Sequence, residues 1–192
     1  NLVLFIDEKF NISGLKKHIS SSEYNFIFDL IKKRDEKKKI LAFDISSKKK
    51  IILVSLKKNI SNSELENLGA NFYDQFKSNK INYFDLNSET LSTQQKNIIG
   101  YFVHGIKLKS YSFEKYKTKK NNKNILITIT GKNQPSLKDQ IKFRAIEDGT
   151  FYTRDLVSEP GNILHPDEYA KRINSLRKLG LKINIYDDKK LK

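Results

Sequence analysis

The sequence predicts an α/β domain in which a mixed β-sheet is flanked by helices on both faces. Strand-like and helix-like segments alternate along most of the chain, an order typical of sheets covered by helices. Two strands are separated by only Ser47, Lys48 and Lys49, which predicts one antiparallel pair in the sheet. A hydrophobic content of 38% with 12 Phe and 9 Tyr suffices for a packed core, which argues against wholesale disorder.

The first third of the chain supplies three of the strands and one helix. The apolar run at residues 2–6 predicts a buried strand, and residues 11–22 are predicted to form a loop. A helix is predicted from Ser22, its expected cap, to Lys33, because apolar side chains recur on one face: Tyr24, Ile27, Phe28 and Ile31. Residues 39–46 and 50–56 then predict an antiparallel hairpin, whose lysine-rich ends discourage edge pairing.

The middle of the chain continues the alternation. Ser61 and Glu64 have the spacing of a capping box, and the helix that follows has an apolar face formed by Leu65, Leu68, Phe72 and Phe76. Gly69 on that helix can allow close packing. We predict a strand at residues 80–86, a third helix at 94–111 and a β-branched strand at 124–131.

The last third is predicted to be mainly helical. Apolar or small residues at helical spacing predict a helix over 136–157, and a turn cluster follows at residues 158–162. The next helix is predicted to begin at Pro166 and to end at Gly180, with acidic residues in its first turn. Residues 181–186 then predict a strand, and a turn begins at residue 187.

Two motifs resemble segments of the leucyl aminopeptidases, also called cytosol aminopeptidases. The run TRDLVSEPGNILHPDEYAKRI is similar to the segment that enters the family's catalytic domain, with matches at Arg154, Asp155, Leu156, Glu159, Pro160, Asn162 and Pro166. Ser158 stands where the family commonly has Asn, and Gly161 where it has Pro or Ser. Upstream, SYSFEKYKTKK at residues 110–120 resembles the family's helix-to-loop passage. The two motifs occur in the family's order.

The resemblance implies three parts within this chain. Residues 1–133 correspond to the family's macrodomain-like N-terminal α/β domain, and residues 134–158 to its interdomain connector helix. Residues 159–192 correspond to the first helix and strand of an incomplete catalytic domain. The resemblance further implies a metal-dependent, hexameric enzyme that uses two divalent ions, zinc or manganese, to remove N-terminal residues from peptides. We expect this chain alone to be inactive and to serve structure, assembly or substrate access, with the missing catalytic domain as partner.

No catalytic, cofactor-binding or metal-binding residue is predicted in this chain. Two-metal peptide hydrolysis needs several clustered carboxylates, and the resemblance places them in a later segment. The aspartates considered as ligands are scattered: Asp7, Asp44, Asp85, Asp155, Asp187 and Asp188. His18 is predicted to lie on the surface, and His165 to be a loop residue before a helix. His104 has no neighbouring carboxylate in the sequence and is predicted either to pack or to lie on the surface.

Other classes of chemistry are excluded by composition and spacing. The absence of cysteine excludes disulfides, thiolate catalysis and cysteine-based zinc sites. Gly100 and Gly105 do not follow a strand in phosphate-binding spacing. No apolar run approaches the roughly 20 residues that cross a bilayer, and the start has no leader pattern. We therefore expect a cytoplasmic protein without a membrane contact.

The charge leaves two other functions open. A net charge of +15 and a pI of about 9.7 are typical of nucleic-acid binding. Residues 112–124 form a basic connector with interspersed aromatics, where bases could stack while lysines neutralise phosphates. Arginine is scarce, however, and abundant Lys, Asn, Ile and Phe are what AT-rich coding sequences give, so we favour drifted composition. The alternatives are a basic nucleic-acid-binding module and an inactive remnant of a truncated gene.

Overall fold

The computed structural model describes residues 1–78, 82–91, 97–119 and 125–191. The chain divides into two compact units, Asn1–Glu147 and Asp148–Lys192. This division falls inside a long helix, and the domain limits expected near residues 133 and 158 stay a prediction. The first unit contains the sheet, and the second unit is helical.

The sheet has five strands in the order β2-β3-β1-β4-β5. Their bounds are β1 Leu2–Asp7, β2 Ile40–Ser46, β3 Lys49–Leu56, β4 Tyr83–Asn87 and β5 Leu126–Thr130. The central strand β1 is parallel to β3 and β4, and β5 is parallel to β4. The predicted hairpin is confirmed, since β2 pairs antiparallel to β3 with Ile40 opposite Val54. The sheet is therefore mixed, as predicted.

Helices connect the strands in the predicted order. The α-helices are α1 Ser21–Ile31, α2 Asn62–Phe76, α3 Ile98–Ser110, α4 Leu137–Ser158, α5 Pro166–Ser175 and α6 Asp188–Leu191. Single 3₁₀ turns occur at Ser13–Lys17, Ser88–Thr90 and Leu176–Leu179. Parts of the predicted strand at 80–86 and of the predicted helix at 94–111 lie outside the described residues.

Two hydrophobic cores lie on opposite faces of the sheet. Successive side chains of a strand point to opposite faces, so Val3 and Phe5 join one core while Leu4 and Ile6 join the other. The first core is completed by α2 and α3, and the second by Ile27 and Ile31 of α1. The predicted class, a mixed sheet with helices on both faces, is confirmed.

Capping boxes begin α1 and α2, but the predicted cap of α1 was wrong. Ser20, not Ser22, caps α1, because only Ser20 has a glutamate three residues later: Glu23 N–H donates to Ser20 Oγ and Ser20 N–H donates to Glu23 Oε2. The predicted box of α2 is confirmed, with Glu64 N–H donating to Ser61 Oγ over 3.2 Å.

Glycines bring α2 and α3 into backbone contact. A Cβ atom on Gly69 would lie 2.0 Å from the Phe102 carbonyl oxygen, and one on Gly105 would lie 2.0 Å from the Glu66 carbonyl oxygen. Any side chain at either position would push the helices apart. The close packing predicted for Gly69 is confirmed, and Gly105 is its counterpart on α3.

The second unit departs from the prediction at its end. Residues 181–186 do not form a strand, and no strand among the described residues pairs with them. A strand needs a neighbour for its backbone groups, which an alternating sequence alone cannot supply. The helix that begins at Pro166 narrows to a 3₁₀ turn and ends at Gly180, whose φ is +85°.

Among the described residues, no helix combines the length and apolarity that crossing a membrane requires.

The α2 capping box makes a prediction about acid stability. Hydrogen bonding from the Ser61 backbone, followed by Lys57, lowers the pKa of Glu64 to about 2 from 4.5. A carboxyl whose pKa is lower in the folded state adds stability above its unfolded pKa, and this contribution disappears as pH falls toward the folded pKa. We expect Glu64→Gln to lower the free energy of unfolding near neutral pH and to differ progressively less from the wild type between pH 4.5 and about 2.

Urea unfolding followed by circular dichroism measures this difference. Glu66→Gln, on the same helix but outside the capping box, is the matched control. A difference between Glu64→Gln and the wild type that stays constant from about pH 6 to about pH 2 would contradict the prediction.

Candidate functional site

His104 has a carboxylate partner, contrary to the prediction from sequence. Its Nδ1 atom lies 2.8 Å from Oε1 of Glu147, which belongs to α4, and the Phe143 ring lies 5.0 Å from the imidazole ring. The sequence showed no carboxylate at helical spacing from His104 because Glu147 is 43 residues away along the chain. Packing of α4 against α3 brings the two side chains together.

The His104–Glu147 pair combines an imidazole with a carboxylate, as many acid–base catalysts do. Both side chains, however, are buried away from solvent. The side chains of His104 and Glu147 are only 4% and 10% exposed. A general acid or base must reach the proton that it transfers, and a peptide could reach this imidazole only if α3 and α4 separated. The pair therefore holds α4 on α3 and satisfies two buried polar groups.

The other two histidines are placed separately. His18 is partly buried, and its Nδ1 lies 3.1 Å from Nδ2 of Asn87 at the end of β4. The predicted surface position of His18 is thus only partly right. His165 is exposed and stands directly before α5, in the loop predicted for it, and its side chain makes no capping hydrogen bond.

The place where open α/β sheets commonly bind ligands is filled by the chain itself. Such ligands lie beyond the carboxyl ends of strands where the strand order reverses, which here is between β1 and β4. The 3₁₀ turn after β4 lies there, because Thr90 Oγ1 accepts the Phe5 N–H over 2.8 Å. Ser88 in that turn is fully buried, and its hydroxyl oxygen accepts the N–H of Asn133 over 3.1 Å.

The two glycines of α3 pack helices rather than bind phosphate. A Cβ atom on Gly100 would lie 2.6 Å from Cε2 of Phe143, so this glycine makes room for the ring that covers His104. Gly105 faces α2, as described above. Neither glycine lies in a loop after a strand, where a phosphate-binding motif would place it.

In the second unit, Arg172 organises the motif that resembles the aminopeptidases. Its Nη1 donates to Oε1 of Glu159 over 2.8 Å and its Nε donates to Oε1 of Glu168 over 3.0 Å, while the Tyr152 hydroxyl donates to the Arg172 carbonyl. The hydrogen bond to Glu159 contributes most to raising the pKa of Arg172, and the bond to Glu168 comes second. The hydrogen bond from Arg172 lowers the pKa of Glu168. The Glu159 side chain is only 1% exposed, and the Arg172 guanidinium supplies a cation to this buried carboxylate.

The residues that the structure describes do not fit a metal centre. Among them, no group of three or more His, Asp or Glu is arranged to hold a metal ion. Glu159 and Glu168 in the second unit are both paired with Arg172, which occupies a carboxylate oxygen of each.

The basic connector is described over residues 112–119, and the rest of the predicted range lies outside the described residues. The Phe113 and Tyr116 rings meet edge to face at 5.8 Å, and the Lys115 ammonium lies 5.5 Å from the centre of the Tyr116 ring. Tyr116 is 51% exposed, which leaves much of its ring accessible from solvent.

Comparisons with known proteins find curated relatives that align with part of this chain. A probable cytosol aminopeptidase of Phytoplasma mali is 43% identical over 98 residues, which is 47% of this chain and 20% of that protein. A probable cytosol aminopeptidase of a Bradyrhizobium species is 40% identical over 88 residues, which is 43% of this chain and 18% of that protein. This chain is similar to cytosol aminopeptidases over somewhat less than half of its length. The predicted resemblance is confirmed, although no family model matches the chain.

The solved structures agree on the fold. A mutant of tomato leucine aminopeptidase superposes with a TM-score of 0.75 and covers 100% of this chain, with 19% sequence identity. The match covers 42% of the tomato protein, and the curated cytosol aminopeptidases are matched over about a fifth of their length. At this identity the structural likeness establishes the fold that the chain shares with a leucine aminopeptidase.

The His104–Glu147 contact predicts that its loss destabilises the first unit. Glu147→Ala leaves a buried imidazole without its partner, which should lower the free energy of unfolding by about 1–3 kcal/mol. Urea unfolding followed by circular dichroism measures the change, with Glu36→Ala, an exposed glutamate before β2, as the control.

A double variant tests the same contact independently. His104→Phe combined with Glu147→Leu removes both polar groups, so it should recover part of the stability that Glu147→Ala loses. Wild-type stability in Glu147→Ala would show that the pair contributes nothing to the α3–α4 contact.

Proposed function

We propose that this chain is the N-terminal portion of a metal-dependent leucyl-type aminopeptidase that removes N-terminal residues from peptides. The observation that carries the proposal is the 43% identity over 98 residues to a probable cytosol aminopeptidase. The fold shared with a leucine aminopeptidase over the whole chain supports it. A hexameric assembly and a cytoplasmic location are parts of the same proposal.

The chain's own role in such an enzyme is structural. Its buried acid–base pair holds two helices together, and the carboxylates of its second unit are engaged by Arg172. In this proposal the chain serves structure, assembly or substrate access, and the hydrolysis is carried out by the catalytic domain. Two divalent ions, zinc or manganese, would be held there and would activate water and stabilise charge on the peptide carbonyl.

An activity assay on two products tests the proposal. We expect the complete product of the reading frame that contains this chain to release p-nitroaniline from leucine p-nitroanilide, and the 192-residue chain to give no rate above the blank. Removal of metal with EDTA should lower the rate of the complete product by at least about tenfold, and zinc or manganese should restore it.

The controls separate the possible outcomes. Sequencing downstream of Lys192 comes first, since an immediate stop codon would favour the inactive remnant over the peptidase. Hydrolysis by the 192-residue chain itself would contradict its structural role. A complete product that does not hydrolyse the substrate with either metal would overturn the aminopeptidase proposal.

A second candidate function is nucleic-acid binding by the basic connector. The observation in its favour is the half-exposed Tyr116 ring with the Lys115 ammonium beside it, in a chain of net charge +15. An exposed aromatic ring offers a surface on which a base can stack, and lysines neutralise phosphates. If this candidate is correct, the 192-residue chain by itself should bind nucleic acid. The aminopeptidase proposal makes no such demand.

Fluorescence anisotropy with a labelled single-stranded oligonucleotide tests the second candidate. If it is correct, affinity should fall steeply between about 50 and 200 mM salt, and Tyr116→Ala should weaken binding by about 1–3 kcal/mol. Tyr83→Ala, at a tyrosine of β4 that is 46% exposed, is the matched control and should leave affinity unchanged. Binding that is absent, or equally weakened by both substitutions, would exclude the connector as the binding surface.

A further inference from the structure

The first three turns of α4 carry an exposed apolar ridge formed by Leu137, Ile141 and Ala145. Leu137 is 72% exposed and Ile141 is 61% exposed, and Ala145 is exposed too. Residues four apart lie on the same side of a helix, so the three side chains are neighbours. Within the part of the chain that the structure describes, nothing buries this ridge.

The ridge is not the face by which α4 packs. That face carries Phe143, whose ring meets Tyr101 edge to face at 5.0 Å, and Glu147, which contacts His104. The helix thus has one face buried against α3 and a second apolar face toward solvent. Single exposed apolar side chains are ordinary on a protein surface, but adjacent ones along a helix mark an interaction surface.

Positive charge borders the ridge. Lys138 and Lys142 follow Leu137 and Ile141 directly and are exposed, and Arg144 precedes Ala145. One exposed carboxylate, Asp148, stands three residues after Ala145, so cations outnumber it around the ridge. Two copies of this face brought together would combine two surpluses of positive charge, in chains that each carry +15, which is unfavourable. A surface with carboxylates around an apolar centre would instead cover the ridge and neutralise the surplus.

The comparisons indicate where such a surface can come from. The chain matches 42% of the tomato leucine aminopeptidase, so more than half of that protein has no counterpart here. We propose that the ridge docks against the remaining part of the longer protein, through an apolar surface bordered by carboxylates. The proposal rests on the proposed function, since it requires this chain to belong to a longer aminopeptidase.

Thiol labelling tests the docking face because the chain contains no cysteine. Ile141→Cys places one reactive thiol on the ridge, and its rate of maleimide labelling is compared between the 192-residue chain and the complete product. The rate of the complete product without the substitution is subtracted as background. We expect labelling in the complete product to be at least about tenfold slower, because the docked surface excludes the reagent.

A matched control lies on the same helix. Ile146 is 45% exposed and stands five residues beyond Ile141, about 140° around the helix axis. Ile146→Cys should label at similar rates in both products. In the complete product, Lys138→Glu with Lys142→Glu should speed labelling of Ile141→Cys, whereas lysine-to-arginine changes at both positions should not.

Each other outcome overturns the proposal in a recognisable way. Equal labelling of Ile141→Cys in the two products means that the ridge is not covered by the longer protein. Equal slowing at Ile146→Cys means that burial is not specific to the ridge. Protection in the 192-residue chain that grows with its concentration identifies a second copy as the occupant. Hydrolysis of leucine p-nitroanilide, measured on the same preparations, reports separately on the proposed function.

Discussion

The structure of the first unit depends on the burial of the central residues of β1. Val3, Leu4 and Phe5 are at most 1% exposed, because β1 pairs with a parallel strand on each side and is covered by helices on both faces. A strand buried on both faces reads as a continuous apolar run rather than an alternating one. That requirement places α1 on one face of the sheet and α2 with α3 on the other.

The helix α3 packs against α2 on one side and against α4 on the other. It approaches α2 at backbone distance through Gly69 and Gly105, and on its other side Gly100 makes room for the Phe143 ring. His104 then meets Glu147 in a site without access to substrate. The helix α3 thus lies between α2 and α4, and its buried histidine stabilises the packing.

The charged groups of the second unit serve a similar end. Glu159, one of the residues on which the aminopeptidase resemblance rests, is almost completely buried and is held by Arg172 thirteen residues later. Removing Arg172 would take this cation away from a buried carboxylate, which is costly. Within the motif that resembles the entrance to a catalytic domain, Glu159 and Arg172 thus form a structural ion pair.

Local pattern determined much of this protein by itself. Apolar runs, capping spacings and helical periodicity were enough for the order of strands and helices, the β2–β3 hairpin, the Ser61–Glu64 cap and the family resemblance, because each depends on residues close together in the chain. Tertiary structure decided the rest. The His104–Glu147 contact joins residues 43 positions apart in the chain. The turn after β4 fills the crevice beside β1 because of the order of the strands in the sheet. Among the described residues, residues 181–186 have no neighbouring strand with which to pair. Contacts between distant segments follow from how helices and strands pack, which periodicity does not encode.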